Sequence, residues 1–126
     1  LGSRLETLTK QYGVTMIVSE FLQKKATGFV FQELDRVRVP GRKEALTIYE
    51  AVGRKETIPP ADIQRIDTFH QMLSDYRSRR WDAAEEKLQH LLQVDPSKKL
   101  YQIYLRRIRD FKQSPPDDAW DGVVTC

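Results

Sequence analysis

Residues 1–20, LGSRLETLTKQYGVTMIVSE, decide the fold. Leu1, Leu5, Leu8 and Tyr12 recur at spacings of four, three and four, which places them on one face of an amphipathic helix. Gly13 follows, where a helix C-terminus favours a residue free to take positive φ. Val14, Met16, Ile17 and Val18 are apolar, partly β-branched and without helical period, and predict a short buried strand. Ser19 and Glu20 then supply an N-cap and an acidic first turn for a second helix. No capping residue precedes the first helix, so the chain is expected to be a fragment of a longer protein.

Outward from this stretch, residues 20–26 predict a short helix with Phe21 and Leu22 packing inward and Lys24 and Lys25 outward, broken by Thr27-Gly28. Residues 29–39 are the longest strand candidate. Phe29 and Phe31 share one parity with Val37 and Val39, whereas Leu34 has the other. A bulge near Glu33-Leu34 reconciles them, because one extra residue swaps the faces. Pro40-Gly41 supplies turn chemistry, and Leu46, Ile48 and Glu50 alternate with Thr47, Tyr49 and Ala51 on a return strand. A hairpin over 29–51 results. The stretch GRKETIPP, 53–60, is charged and then Ile-Pro-Pro, which favours extended backbone. It predicts a first domain over 1–53, a linker over 54–60 and a second domain over 61–126.

The second region reads as helix throughout. Ile63, Ile66, Phe69, Leu73 and Tyr76 form one stripe over 61–78. Asp82 and Glu85 predict a capping-box-like start for the next helix, whose apolar face is Trp81, Ala84, Leu88 and Leu91 and which Asp95-Pro96 ends. Ser97 predicts the cap of a third helix, with Leu100, Tyr104, Ile108 and Phe111 as its stripe and Ser114-Pro115-Pro116 as its stop. The apolar tail Trp120-Asp121-Gly122-Val123-Val124 is expected to dock against the protein.

Composition narrows the chemistry. Hydrophobic residues make up 40% and charged residues 31% of 126, which fits an ordinary globular core. No apolar run reaches membrane-spanning length and no signal peptide is present, so this segment is expected to be cytoplasmic and without membrane contact. The single cysteine, Cys126, permits no disulfide or zinc framework, and His70 and His90 both lie in helical patterns. The net charge of +3 is too small to argue for nucleic acid unless clustered. The clusters Arg77, Arg79, Arg80 and Arg106, Arg107, Arg109, Lys112 stand beside acidic residues without exposed aromatic platforms, and predict solvated helix faces. An arginine in the first turn of a surface helix, as Arg4 is, is by itself ordinarily a solvated charge too.

Ser3-Arg4-Leu5-Glu6, then Leu8-Thr9-Lys10-Gln11-Tyr12-Gly13 and the strand end Ile17-Val18-Ser19-Glu20, resembles the C-terminal third of a class III adenylate/guanylate cyclase catalytic domain. In that family the segment opens Asn-x-x-x-Arg-Leu-Glu. The resemblance implies that Arg4 stabilises negative charge developing on the α-phosphate. The Asn, which orients the ribose, would lie just before Leu1. The hairpin adds to the likeness: Val37-Arg38-Val39-Pro40-Gly41-Arg42-Lys43, closing at Tyr49-Glu50, is similar to the family's Val-x-Val-Lys-Gly-Lys turn and Tyr-Glu end. Arg42 aligns with a basic residue that contacts the nucleotide triphosphate, while Pro40 replaces the first basic position. A basic hairpin tip also protects a sheet edge, so both readings of Arg42 stand.

Trp81, Ala84, Leu88 and Asp95-Pro96 match the aromatic, small, bulky and Asp-Pro positions of a tetratricopeptide repeat, for about one unit. Solenoids need about three repeats, so this unit is expected to pack on something else. The implied fold is α+β: the C-terminal part of a ferredoxin-like cyclase domain (helix-strand-helix-hairpin) followed by an all-helical, hairpin-type extension. The implied activity is that of the parent, an adenylate cyclase converting ATP to 3′,5′-cyclic AMP and pyrophosphate in signal transduction, with this fragment inactive alone. Magnesium or manganese ions would be held by aspartates upstream of Leu1, and the site would form in a homodimer, with Arg4 acting across the interface. Likeness through the Trp-Asp-Gly-Val tail to bacterial cyclases with a membrane-anchored sensor leaves room for an inner-membrane anchor in the parent. The alternative is a non-catalytic cyclase-like scaffold whose helical tail binds a protein partner.

Overall fold

A computed structural model describes residues 2–38, 41 and 43–125, with side chains described from residue 7 onward. The readings made above for Leu1, for the side chain of Leu5, and for Val39, Pro40, Arg42 and Cys126 lie outside the described residues. The architecture is mixed α+β, a four-stranded sheet with several helices. The chain divides into two compact units, Leu1–Pro60 with Val123–Cys126, and Ala61–Gly122.

The first unit begins with α1, Gly2–Tyr12, which buries Leu8 and Tyr12. Gly13 takes φ +70°, and Val14 N donates to Thr9 O at 3.0 Å, the bond that closes a helix through a left-handed residue. Strand β1 is Ile17–Ser19, shorter than the apolar run suggests. Residues 14–16 carry the chain away from the helix end before it reaches its sheet partner, leaving Met16 exposed. The Ser19 side chain accepts from Leu22 N and caps α2, Glu20–Lys25. Phe21 and Leu22 do not pack inward; both are exposed, because six residues give α2 too little length to hold an apolar stripe against the sheet. Its link to the sheet is polar, with Thr47 N donating to Glu20 Oε1 at 3.5 Å.

Strands β2, Phe29–Arg38, and β3, Leu46–Arg54, form the antiparallel hairpin. β3 runs three residues past Ala51, so Arg54, read as the first linker residue, is strand. Gly53 has a packing reason, since a Cβ there would meet Ile58 Cδ1 at 3.0 Å. The expected bulge is present between Glu33 and Asp35, and a second register shift lies between Val30 and Phe31. Consequently Leu34 and Asp35 are both buried, Val37 joins them, and Phe31 is left to meet Tyr49 edge-on at 6.4 Å. β1 pairs antiparallel with the other side of β3.

The all-helical class expected for the 61–126 extension is corrected in its tail, expected only to dock. Val123–Thr125 form β4, which pairs in parallel with β2 at Arg36–Arg38, giving the order β1-β3-β2-β4. An apolar, β-branched pair beside an open strand edge satisfies that edge's backbone groups better than helix would. Gly122 precedes the strand at φ +81°, where a Cβ would also crowd Arg77 Cγ at 3.1 Å.

The second unit contains α3, Pro60–Arg77, α4, Trp81–Val94, and α5, Lys99–Gln113. The three stripes meet in a core that includes Phe69, Leu73, Tyr76, Ala84, Leu88, Leu100, Tyr104 and Ile108. Tyr76 stands at the centre of an aromatic cluster with Trp81, Tyr104, Phe111 and Trp120, which docks the apolar tail as far as the tryptophan. Two capping expectations are corrected. Arg79 has a left-handed φ of 63°, so the chain enters α4 two residues earlier than an Asp82 cap would have it, and Arg80 takes the N-cap position without a side-chain bond. The N-cap of α5 is Lys98, and Ser97 Oγ instead donates to Asp95 Oδ1 at 3.3 Å.

Candidate functional site

The two residues singled out as site residues both fall in the first unit. Arg4 lies in the first turn of α1, with its side chain outside the described residues. It precedes Tyr12 by eight residues, a rise of about 12 Å along the helix. Arg42 lies outside the described residues, between β2 and β3 in sequence. Its neighbours are described: Arg38 Nε donates to Lys43 O at 3.2 Å, and Gly41 has φ +86°.

What the structure brings together is α1, which carries Arg4, and strand β2. The Tyr12 hydroxyl, at the end of α1, donates to Asp35 Oδ2 on β2 at 2.6 Å. Asp35 Oδ1 accepts from Arg36 N at 2.8 Å. Both side chains are essentially inaccessible, Tyr12 at 1% and Asp35 at 0% exposure. An aspartate in a strand ordinarily reads as a solvated charge, but the bulge turns Asp35 inward beside Leu34. The signal was present in the parity break between Phe31 and Leu34, which already required two neighbouring residues to face one side.

The second unit holds two buried-edge ionic networks. Asp75 accepts from Arg80 Nε at 3.0 Å and Lys87 Nζ at 2.5 Å. Burial pushes the Asp75 carboxyl up, but hydrogen bonds from Lys87 and Arg80 and their charges outweigh it and hold it below its ordinary value. Glu85 did not become a capping-box partner. It accepts from Lys112 at 2.9 Å and Arg109 at 3.2 Å, and the Lys112 bond above all keeps its carboxyl low against the opposing effect of burial. Lys112 is raised by its bonds to Asp82 and then Glu85. An open groove of about 390 Å³ runs beside these residues, and Arg79, Arg80 and Lys112 on its wall are all engaged, Arg79 with the Pro116 and Asp117 carbonyls.

The sign of the pH dependence follows. Carboxyls lowered in the folded protein contribute stability that is complete above their unfolded values of 3.8 and 4.5 and is lost as pH falls through the lower folded values. Lys112, raised above 10.5, contributes fully below that value and loses its contribution as pH rises through the higher folded one. Acid titration of helical circular dichroism should therefore be flat at neutral pH and fall below about pH 4. Asp75→Asn should flatten part of that acid limb, and an unchanged limb would contradict the role given to Asp75.

Among the described residues no group of three or more His, Cys, Asp or Glu side chains could hold a metal ion. The described side chains thus do not fit a divalent-ion centre. No described helix is long and apolar enough to cross a membrane.

No family model matches the chain, and no solved structure matches it significantly. It is similar to the adenylate cyclase, terminal-differentiation specific, of Dictyostelium discoideum, at 27% identity over 113 residues. That alignment covers 85% of this chain, more than either unit contains, and 5% of the relative. The chain thus spans a small part of the length of the relative it matches.

Proposed function

We propose that the chain is the C-terminal part of a class III adenylate cyclase catalytic domain with a helical extension, and that the longer protein converts ATP to 3′,5′-cyclic AMP and pyrophosphate. The similarity to an adenylate cyclase along most of the chain carries this reading. The order helix, strand, helix, hairpin in the first unit supports it, since the C-terminal part of a ferredoxin-like cyclase domain would require that order.

In this reading the ribose 3′-oxygen attacks the α-phosphorus, the bond to the bridging oxygen breaks, and pyrophosphate leaves. Arg4 donates hydrogen bonds to the non-bridging α-phosphate oxygens as charge accumulates there, an electrostatic contribution made mostly in the transition state. Arg42 binds the triphosphate, and its planar fork suits phosphate oxygens. Aspartates upstream of this chain would hold magnesium or manganese, which when bound would supply charge neutralisation at the phosphates. Two copies would complete the site, with Arg4 serving the partner's nucleotide. The helical unit, with its single tetratricopeptide-like stretch from Trp81 to Pro96, would bind a protein partner.

The division of the site between this chain and upstream residues has a direct test. Purified 126-residue chain, supplied with ATP and manganese, should form no cyclic nucleotide. Turnover above the no-enzyme rate would contradict the reading that the metal-binding residues lie elsewhere.

A further inference from the structure

The bond between Tyr12 and Asp35 is a costly thing to bury. A carboxylate moved out of water is unfavourable unless its oxygens are well bonded, and an apolar pair of similar volume usually serves stability equally well. A directional bond offers what an apolar contact does not, a fixed relation between two elements. Here one is the C-terminal end of α1 and the other is the bulge of β2. The bulge is what aims Asp35 at the hydroxyl, because a regular strand would turn residue 35 to the face opposite Leu34. The hydroxyl comes from the last residue of the helix, beside a Gly13 closure that fixes how the helix ends. The bond therefore holds α1 in rotation and height against the strand that leads, through Arg38, to the hairpin turn.

We propose that Tyr12 and Asp35 are positioning residues that set α1, the helix bearing Arg4, against the paired strands β2 and β3. The inference rests on the proposed cyclase reading for its catalytic consequence. Neither side chain reaches solvent, so neither touches nucleotide; they act through the placement of α1 on the hairpin.

The experiment uses the full-length protein, its Arg4→Ala variant, and Tyr12→Phe, Asp35→Asn and Tyr12→Phe/Asp35→Leu made in each of these two backgrounds. The paired apolar variant removes both groups of the Tyr12–Asp35 bond together, although it also gives up the bond from Arg36 N, and its fold is checked by circular dichroism and melting temperature. The expected result is a fall in kcat of roughly ten- to a hundredfold, the scale of a misplaced catalytic group, with KM within about twofold. In the Arg4→Ala background the same substitutions should have almost no further effect, because they act through Arg4. A second readout is independent of turnover. Spin labels at the exposed positions Lys10→Cys and Glu44→Cys, with native cysteines replaced, should give a narrow distance distribution that broadens in the paired apolar variant.

Equal losses in both backgrounds, or unchanged kcat in a folded variant, would overturn the positioning role and leave the cyclase reading standing. A wild type without cyclase activity would overturn the cyclase reading instead. The label distances then decide, and a distribution unchanged by the paired variant would overturn the proposal.

Discussion

Arg4→Ala in the full-length protein is expected to lower cyclic AMP formation by about a hundred- to a thousandfold, the usual effect of removing one donor aimed at developing negative charge. The loss should fall on kcat and kcat/KM alike, because the interaction strengthens only as charge builds on the α-phosphate. Arg4→Lys should recover part of it, since an ammonium keeps the charge and loses the bidentate fork. Initial rates at saturating ATP, with a melting temperature equal to wild type, are the measurement. The backbone position favours a clean result: Arg4 lies in α1 eight residues before the buried anchor Tyr12, and an alanine there is a good helix former. A folded Arg4→Ala protein with wild-type kcat would return Arg4 to the status of a solvated helix charge.

The largest effect on stability is expected at Tyr76. Its ring is 1% exposed and lies 5.1 to 6.1 Å from those of Tyr104, Trp120, Trp81 and Phe111, mostly edge to face. Tyr76→Ala removes the body that all four rings pack on. Large-to-alanine changes of aromatic core residues cost about 3–5 kcal/mol, and each aromatic pair adds about 0.5–1.5 kcal/mol beyond area. A unit of 62 residues has little stability to lose at that scale. Urea unfolding followed by tryptophan fluorescence should show the helical unit's transition moved to low denaturant or absent. Tyr76→Phe, which keeps the ring, should cost much less. A Tyr76→Ala protein with a near-normal midpoint would mean that the cluster repacks around the cavity.

Local chemistry made most of this fold legible, and long-range pairing decided the rest. The α1 end at Gly13, the Ser19 cap and the hairpin were readable because each depends on residues within a few positions. The bulge was readable because Leu34 broke the parity of its neighbours. Its consequence at Asp35 needed the third dimension, since only the fold brings a helix-terminal tyrosine to that carboxylate. Phe21 and Leu22 misled because hydrophobicity predicts burial only where an element is long enough to offer a face. Asp82 and Ser97 misled because strong cap formers were outcompeted by the geometry of the turn before each helix. β4 was hidden for another reason. Val123-Val124 pairs with Arg36-Val37, 87 positions earlier, and no local pattern announces such a partner. Of the candidate site, the sequence alone pointed to Arg4 and Arg42 by family likeness, while the Tyr12–Asp35 bond between α1 and β2 emerged only from the structure.

The most direct test of the account is ATP turnover by the purified full-length wild-type protein, with magnesium and separately with manganese, and with the product identified by mass spectrometry. The account predicts 3′,5′-cyclic AMP and an equal amount of pyrophosphate. No cyclic nucleotide with either metal, from a folded protein, would contradict it and would leave the first unit a cyclase-like scaffold beside a helical binding module.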